Sequence, residues 1–139
     1  MKYREAIKCY KNSLLLDSTN IEAHFNLSNT YFLDKQYKES LDSYEKCKDY
    51  KEKKNQILFM QGRCYIELND SNNYSKAEKI FEYLTGIEDF NKDLHCIYYK
   101  AILMEKMKNY DKAKYLYTII MNSNPDFEDV ENKLKNLKQ

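Results

Sequence analysis

Tryptophan is missing altogether, glycine occurs twice and proline once, and no compact aliphatic stretch is longer than Leu14-Leu15-Leu16. Scarce glycine and proline take away most of the material for hairpins, strand-rich folds and phosphate-cradling loops, which leaves helices joined by short polar turns. The fold class expected is therefore all-α. The aliphatic run is far too short for a membrane span or a signal-peptide core, so no membrane insertion is expected. No charge of one sign dominates: 23 lysines and arginines stand against 22 aspartates and glutamates. That balance leaves no broad field to favour nucleic acid. The four cysteines, Cys9, Cys47, Cys64 and Cys96, include no C-x-x-C pair. Cys47 and Cys64 sit where a small side chain fits between packed helices, which favours reduced buried thiols in a cytoplasmic protein over a disulfide framework. Nucleus and cilium stay open, and an even cysteine count in a secreted helical chain would look the same. Abundant Asn, Lys, Tyr and Ile reflect A/T-rich codons and speak to mutation rather than mechanism.

What is present is a repeat. Tyrosine recurs at Tyr3, Tyr37, Tyr74 and Tyr110. Each is followed three residues on by a small residue (Ala6, Ser40, Ala77, Ala113) and seven on by an aromatic one (Tyr10, Tyr44, Phe81, Tyr117). A period of about 34 to 37 residues marks a helical solenoid, in which each unit buries its apolar face only against its neighbours. Within a unit the apolar positions follow helical spacing. The second unit has His24, Leu27, Ser28 and Tyr31, then Tyr37, Ser40, Leu41, Tyr44 and Cys47. The third has Leu58, Gly62 and Tyr65, then Tyr74, Ala77, Phe81 and Leu84. The fourth has Ile97, Ala101 and Met104, then Tyr110, Ala113, Tyr117 and Ile120, and it closes at Asn124-Pro125.

These residues resemble the tetratricopeptide repeat (TPR) family. Ser28, Gly62 and Ala101 match its small position on the first helix of a repeat, Ala6, Ser40, Ala77 and Ala113 its alanine on the second, and Pro125 its terminal proline. The resemblance covers nearly the whole chain and implies a right-handed superhelical array of antiparallel helix pairs. Residues 1–139 then form a single domain: a second helix of an incomplete repeat over 1–20, repeats over 21–54, 55–93 and 94–127, and a capping helix over 128–139. Departures are Ser18 and Glu52 at the proline position, and Gln61 and Lys100 where the family has a large residue. The third repeat carries two insertions, over residues 69–73 and 86–93, and Ser75 with Glu78 reads as a capping box restarting its helix. Residues 1–17 offer Tyr3, Ala6, Ile7, Tyr10 and Leu14 without a first-helix partner, which predicts an exposed apolar stripe and either a fragment of a longer solenoid or another chain covering it. At the far end Phe127, Val130, Leu134 and Leu137 make the inner stripe of a Lys-rich cap.

By the same resemblance the first helices line a concave groove. Its lining would include Phe25, Asn26, Asn29 and Phe32, then Phe59, Met60 and Arg63, then Tyr98, Tyr99 and Ile102. Rings flanked by Asn and Arg suit a peptide or helix of a partner protein, with apolar anchors in pockets and amides on the backbone. The competing reading packs Phe25, Phe59 and Tyr98 under neighbouring segments. The alternative function is an architectural segment with no free ligand, self-associating through the open N-terminal helix. The Hsp70 or Hsp90 carboxylate clamp of this family is not expected: its slots hold Phe25, Met60, His95 and Tyr99, and only Asn29 fits.

No catalytic, cofactor or metal site emerges. His95 and Cys96 are adjacent on a helix and point about 100° apart, so they do not form a nucleophile and base. His24 reads as a packed, satisfied core histidine. Glu67, Asp70 and Asn72 lack the spacing of a calcium loop, which would put Tyr74 and Phe81 at ligand positions. Glu88-Asp89 reads as solvated loop and Lys46 to Lys54 as a solvated helix face. No enzyme is expected, and no cofactor.

Overall fold

The structure is a computed structural model, and the residues described are 2–88 and 91–137. Among them are eight α-helices and no strand: α1 (Lys2–Leu16), α2 (Ile21–Leu33), α3 (Tyr37–Lys46), α4 (Lys54–Leu68), α5 (Ser71–Thr85), α6 (Leu94–Lys106), α7 (Tyr110–Ser123) and α8 (Val130–Asn136), with a 3₁₀ turn over Lys51–Lys53. The helices gather into two compact units, Met1–Asn69 and Asp70–Gln139. The division falls inside the stretch read above as the third repeat. In the first unit α1 lies on α2, α2 on α3 and α3 on α4, and α2 also reaches α4. In the second, α5 lies on α6, α6 on α7 and α7 on α8.

The small residues and rings do what their spacing implies. Ser40, Ala77 and Ala113 have no exposed surface, nor have Tyr44, Phe81 and Tyr117. A side chain no larger than serine lets two helix axes approach, and the ring one turn on fills the space beside it. At Ser40 the approach is also polar: its Oγ donates to the Ser28 carbonyl at 2.8 Å, tying α3 to α2. Burying each such ring contributes about 2 to 3 kcal/mol. In the first unit Phe25, Tyr44, Cys47, Ile57 and Cys64 form one core cluster. Ile7, Leu27 and Tyr31 form a second between α1 and α2, with Tyr10 and Leu14 packed on it. The N-terminal stripe is thus partly used: Ile7 is buried, while Tyr3, Ala6, Tyr10 and Leu14 are half-buried.

Helix ends follow local chemistry. Asn20, Asp70, Asp93 and Asn109 each accept from the backbone N–H three residues on, at 2.9 to 3.2 Å, which satisfies a donor that no intrahelical carbonyl reaches. The first helices α2, α4 and α6 stop at a residue in the left-handed conformation, Lys35 (φ 61°), Asn69 (φ 60°) and Lys108 (φ 63°). After Lys35 and Lys108, backbone bonds of 2.8 Å fold the chain back, from Gln36 N–H to Tyr31 O and from Asn109 N–H to Met104 O.

Three expectations need correcting. Ser75 with Glu78 does not start a helix: Asp70 is the cap, and Ser75 lies inside α5, its Oγ donating to Ser71 O at 3.2 Å. The inserted residues therefore lengthen α5 by a first turn ahead of Tyr74, where α3 and α7 begin at the equivalent Tyr37 and Tyr110. Residues 46–54 are not one helix face, because α3 stops at Lys46 and the chain turns before α4. His24 is satisfied on one nitrogen: Nε2 lies 3.0 Å from the Ser18 carbonyl oxygen, while Nδ1 is buried with no partner among the described residues. Of the Glu88-Asp89 pair, Asp89 lies outside the described residues. No described helix is long and apolar enough to cross a membrane.

Candidate functional site

The two units place the expected groove residues in three different situations. Phe25 and Tyr98 were expected in the lining, and both are core. Phe25 is 7% exposed. Tyr44 and Tyr50 meet it edge-on, with ring centroids at 6.4 and 5.9 Å, and the Lys53 ammonium lies 5.9 Å from its centroid. The connection between α3 and α4 thus folds over the ring. Tyr98 is 8% exposed, covered by Phe127 at 5.9 Å and Tyr117 at 6.1 Å, with its hydroxyl donating to the Asp129 carboxylate. Burial, then the Asp129 bond, pushes its phenol well above the usual range.

The two asparagines do not act together. Asn29 turns toward α3, where its Oδ1 accepts from the Tyr44 hydroxyl. Desolvation holds that phenol neutral far above its ordinary value. Asn26 instead lines a cleft between α1 and α2 with Tyr10, Ser13 and Glu22.

Phe32, Phe59, Met60 and Arg63 do come together, on α2 and α4 of the first unit. The Arg63 guanidinium carbon sits 4.7 Å from the Phe32 ring centroid and 5.9 Å from that of Phe59. Its Nη1 lies 3.9 Å from the Met60 Sδ. Phe32 in turn meets Tyr37 edge-on at 5.4 Å. Burial, then the Glu67 carboxylate, raises the Tyr37 phenol above its usual value. All five side chains are half-buried, and Leu33 beside them is 57% exposed. A cation on a ring face is worth about 0.5 to 1 kcal/mol at such a site, a modest bias toward keeping the guanidinium beside the rings. In the second unit Tyr99 and Ile102 are half-buried on α6, with the Tyr99 ring edge-on to Tyr98 at 5.3 Å.

Sequence reasoning missed the covering groups Tyr50, Lys53 and Asp129, and it placed Phe127 in the stripe of the cap without its contact to Tyr98. Only the aromatic character of Tyr50 and Phe127 between helices hinted at them. His95 and Cys96 part company as their helical positions require: His95 is exposed, 4.9 Å from the Phe127 ring, and Cys96 is fully buried. No group of three or more potential metal ligands occurs among the described residues.

Three repeat models match the chain, one described as a TPR repeat over residues 2–35 and two as tetratricopeptide repeats over residues 21–54 and 95–126. No curated protein matches it. Among solved structures it is similar to MamA, with a TM-score of 0.78 at 17% identity, over 95% of this chain and 74% of that one. It is similar to YrrB, described as a TPR protein with an unusual peptide-binding site, with a TM-score of 0.72 at 18% identity, over 96% of this chain and 66% of that one. A tetratricopeptide repeat protein of Parabacteroides merdae gives 0.79 at 22% identity, over 96% of this chain and 50% of that one. At such identities the likeness is one of fold.

Proposed function

Because this chain belongs to the tetratricopeptide repeat family, whose arrays are in general protein-interaction scaffolds, we propose that it is a non-catalytic scaffold holding a peptide or helix of a partner protein. The face that would carry the contact in the first unit is Phe32, Phe59, Met60 and Arg63, flanked by Asn29 and Leu33. Tyr99 and Ile102 offer matching positions on α6. Residues 1–139 are taken as one repeat domain, working in the cytoplasm without a cofactor.

The observation behind this reading is the Arg63 guanidinium laid across Phe32 and Phe59. Rings and a fork of donors held in place before a ligand arrives lose little freedom on binding, which is what a hot spot requires. Affinity capture with the wild type and with a Phe59→Ala, Arg63→Ala variant tests it. Truncating two such anchors should cost about 2 kcal/mol or more, about thirtyfold in affinity. Partners retained by the wild type and lost by a variant of unchanged circular dichroism support the face. Identical partner sets would remove it.

A further inference from the structure

At one place in the second unit the chain departs from its own repeat. One residue after the repeat tyrosine, α1, α3 and α7 carry a long or charged side chain, Arg4, Lys38 and Asp111, whereas α5 carries Ser75. Ahead of its tyrosine α5 also has the added turn that begins at Ser71. The neighbouring helix α6 ends at Lys106, followed by Met107 and Lys108, where the second repeat has Leu33, Asp34 and Lys35. An acid and an aliphatic residue at the turn of one repeat are thus replaced by a thioether and a lysine at the turn of the other.

These departures meet in one cleft of about 330 Å³, lined by Ser71, Tyr74, Ser75, Lys106, Met107 and Lys108. That volume falls at the lower end of what small-molecule sites take, about 300 to 1,000 Å³. The short side chain of Ser75 leaves the space open, and the Ser71 turn extends its wall. Tyr74 and Met107 are half-buried there, and a ring beside a thioether suits an aromatic guest. Lys106 and Lys108 are exposed, and neither forms an ion pair among the described residues. The acids next to them are engaged elsewhere. Glu105 accepts from Tyr117 at 3.0 Å and lies 3.7 Å from the Lys133 ammonium, and the Asp70 carboxylate accepts from the backbone and side-chain amides of Asn73. The turn that carries the second lysine is held by bonds from Met107 N–H to Leu103 O at 2.9 Å and from Lys108 N–H to Glu105 O at 3.0 Å.

We propose that this cleft binds a small aromatic phosphate monoester, its ring against Tyr74 and Met107 and its phosphate between the Lys106 and Lys108 ammonium groups. A phosphate monoester carries a charge of about −1.5 to −2 at pH 7, which two ammonium groups without a protein counter-charge complement. The Ser71 hydroxyl on the rim is a further donor. Every feature invoked separates this pair of helices from the chain's other helix pairs, so the site does not follow from the packing that the repeats share. It lies in a different unit from the Phe32, Arg63 and Phe59 face and stands independently of the partner-binding reading.

Phenyl phosphate is the probe, titrated into the full isotope-labelled chain at low ionic strength, with inorganic phosphate and benzyl alcohol standing for its two halves. It should shift the backbone amides of residues 71–75 and 106–108 with a dissociation constant of about 1 mM or tighter. Each half alone should bind about tenfold more weakly or worse. A Lys106→Gln, Lys108→Gly chain should lose about tenfold, and the wild type should weaken as salt is added. Ser75→Leu, which restores a long side chain without charge, should abolish the shifts while circular dichroism stays unchanged. If that variant loses helicity, Ser71→Leu at the exposed start of α5 takes its place. The Phe59→Ala, Arg63→Ala chain should bind the probe as the wild type does. Absence of shifts at ten times the expected constant overturns the proposal. So does equal binding of inorganic phosphate, which would mean a lysine pair only, or of benzyl alcohol, which would mean an apolar dent only. Shifts centred on Phe59 and Arg63, or no loss on removing both lysines, overturn it as well.

Discussion

At the scale of single residues the molecule keeps its buried thiols and phenols neutral by desolvation. Desolvation pushes the Cys47 and Cys64 thiols up to about 11 and Cys96 up to about 12, from an ordinary value of 9.0. The sign of the linkage follows: the folded state holds these protons more tightly than the unfolded one, so their contribution is complete below pH 9 and is lost as pH rises through 11 to 12. Thermal unfolding should therefore show a midpoint unmoved by thiol ionisation up to pH 8 that falls between pH 9 and 12. Replacing the three buried cysteines by alanine should flatten that fall, leaving the share due to the buried tyrosines. The same burial predicts that a water-soluble thiol reagent labels Cys9, which is exposed, and reaches the other three only on unfolding. Four equivalents taken up by the native chain at pH 7 would contradict it.

At the scale of elements, the first helices end on left-handed residues, and only one of the three is suited to the task. Asparagine tolerates that conformation, whereas lysine at Lys35 and Lys108 pays for its Cβ. Lys35→Gly and Lys108→Gly should each stabilise the fold by about 0.5 to 1 kcal/mol, read from urea midpoints at unchanged slope. A loss of stability would mean that the lysine side chains contribute contacts of their own.

The same elements show what was legible in the sequence. Spacing along one helix is a local property, so Ala77, Ala113 and the rings one turn beyond could be assigned to the interior before any coordinates. The site was less legible, because what covers a groove position comes from elsewhere in the chain. Phe25 lies under Tyr50 and Lys53, Tyr98 under Phe127 and Asp129, and Asn29 answers a hydroxyl from α3. None of these is written in the helix that carries the residue. The capping box failed for a related reason: Asp70 offered a competing cap one turn earlier.

For the molecule as a whole, the near balance of charge and the ring-lined face of the first unit point to recognition by apolar anchors rather than by a field. An acidic peptide ending in EEVD should accordingly bind at millimolar affinity or not at all by calorimetry, because Phe25 and Met60 replace clamp groups and the Asn29 oxygen already accepts from Tyr44. Micromolar binding would show that the basic side chains around the face act together after all.

The extra turn at the start of α5 carries an evolutionary consequence. Three added residues were taken up as helix, with the Asp70 carboxylate accepting from the Asn73 N–H at 2.9 Å, so the added length extends the helix rather than the turn. A lineage built this way can drift in spacing from one motif to the next by winding length onto a cylinder, at the cost of a single well-placed carboxylate.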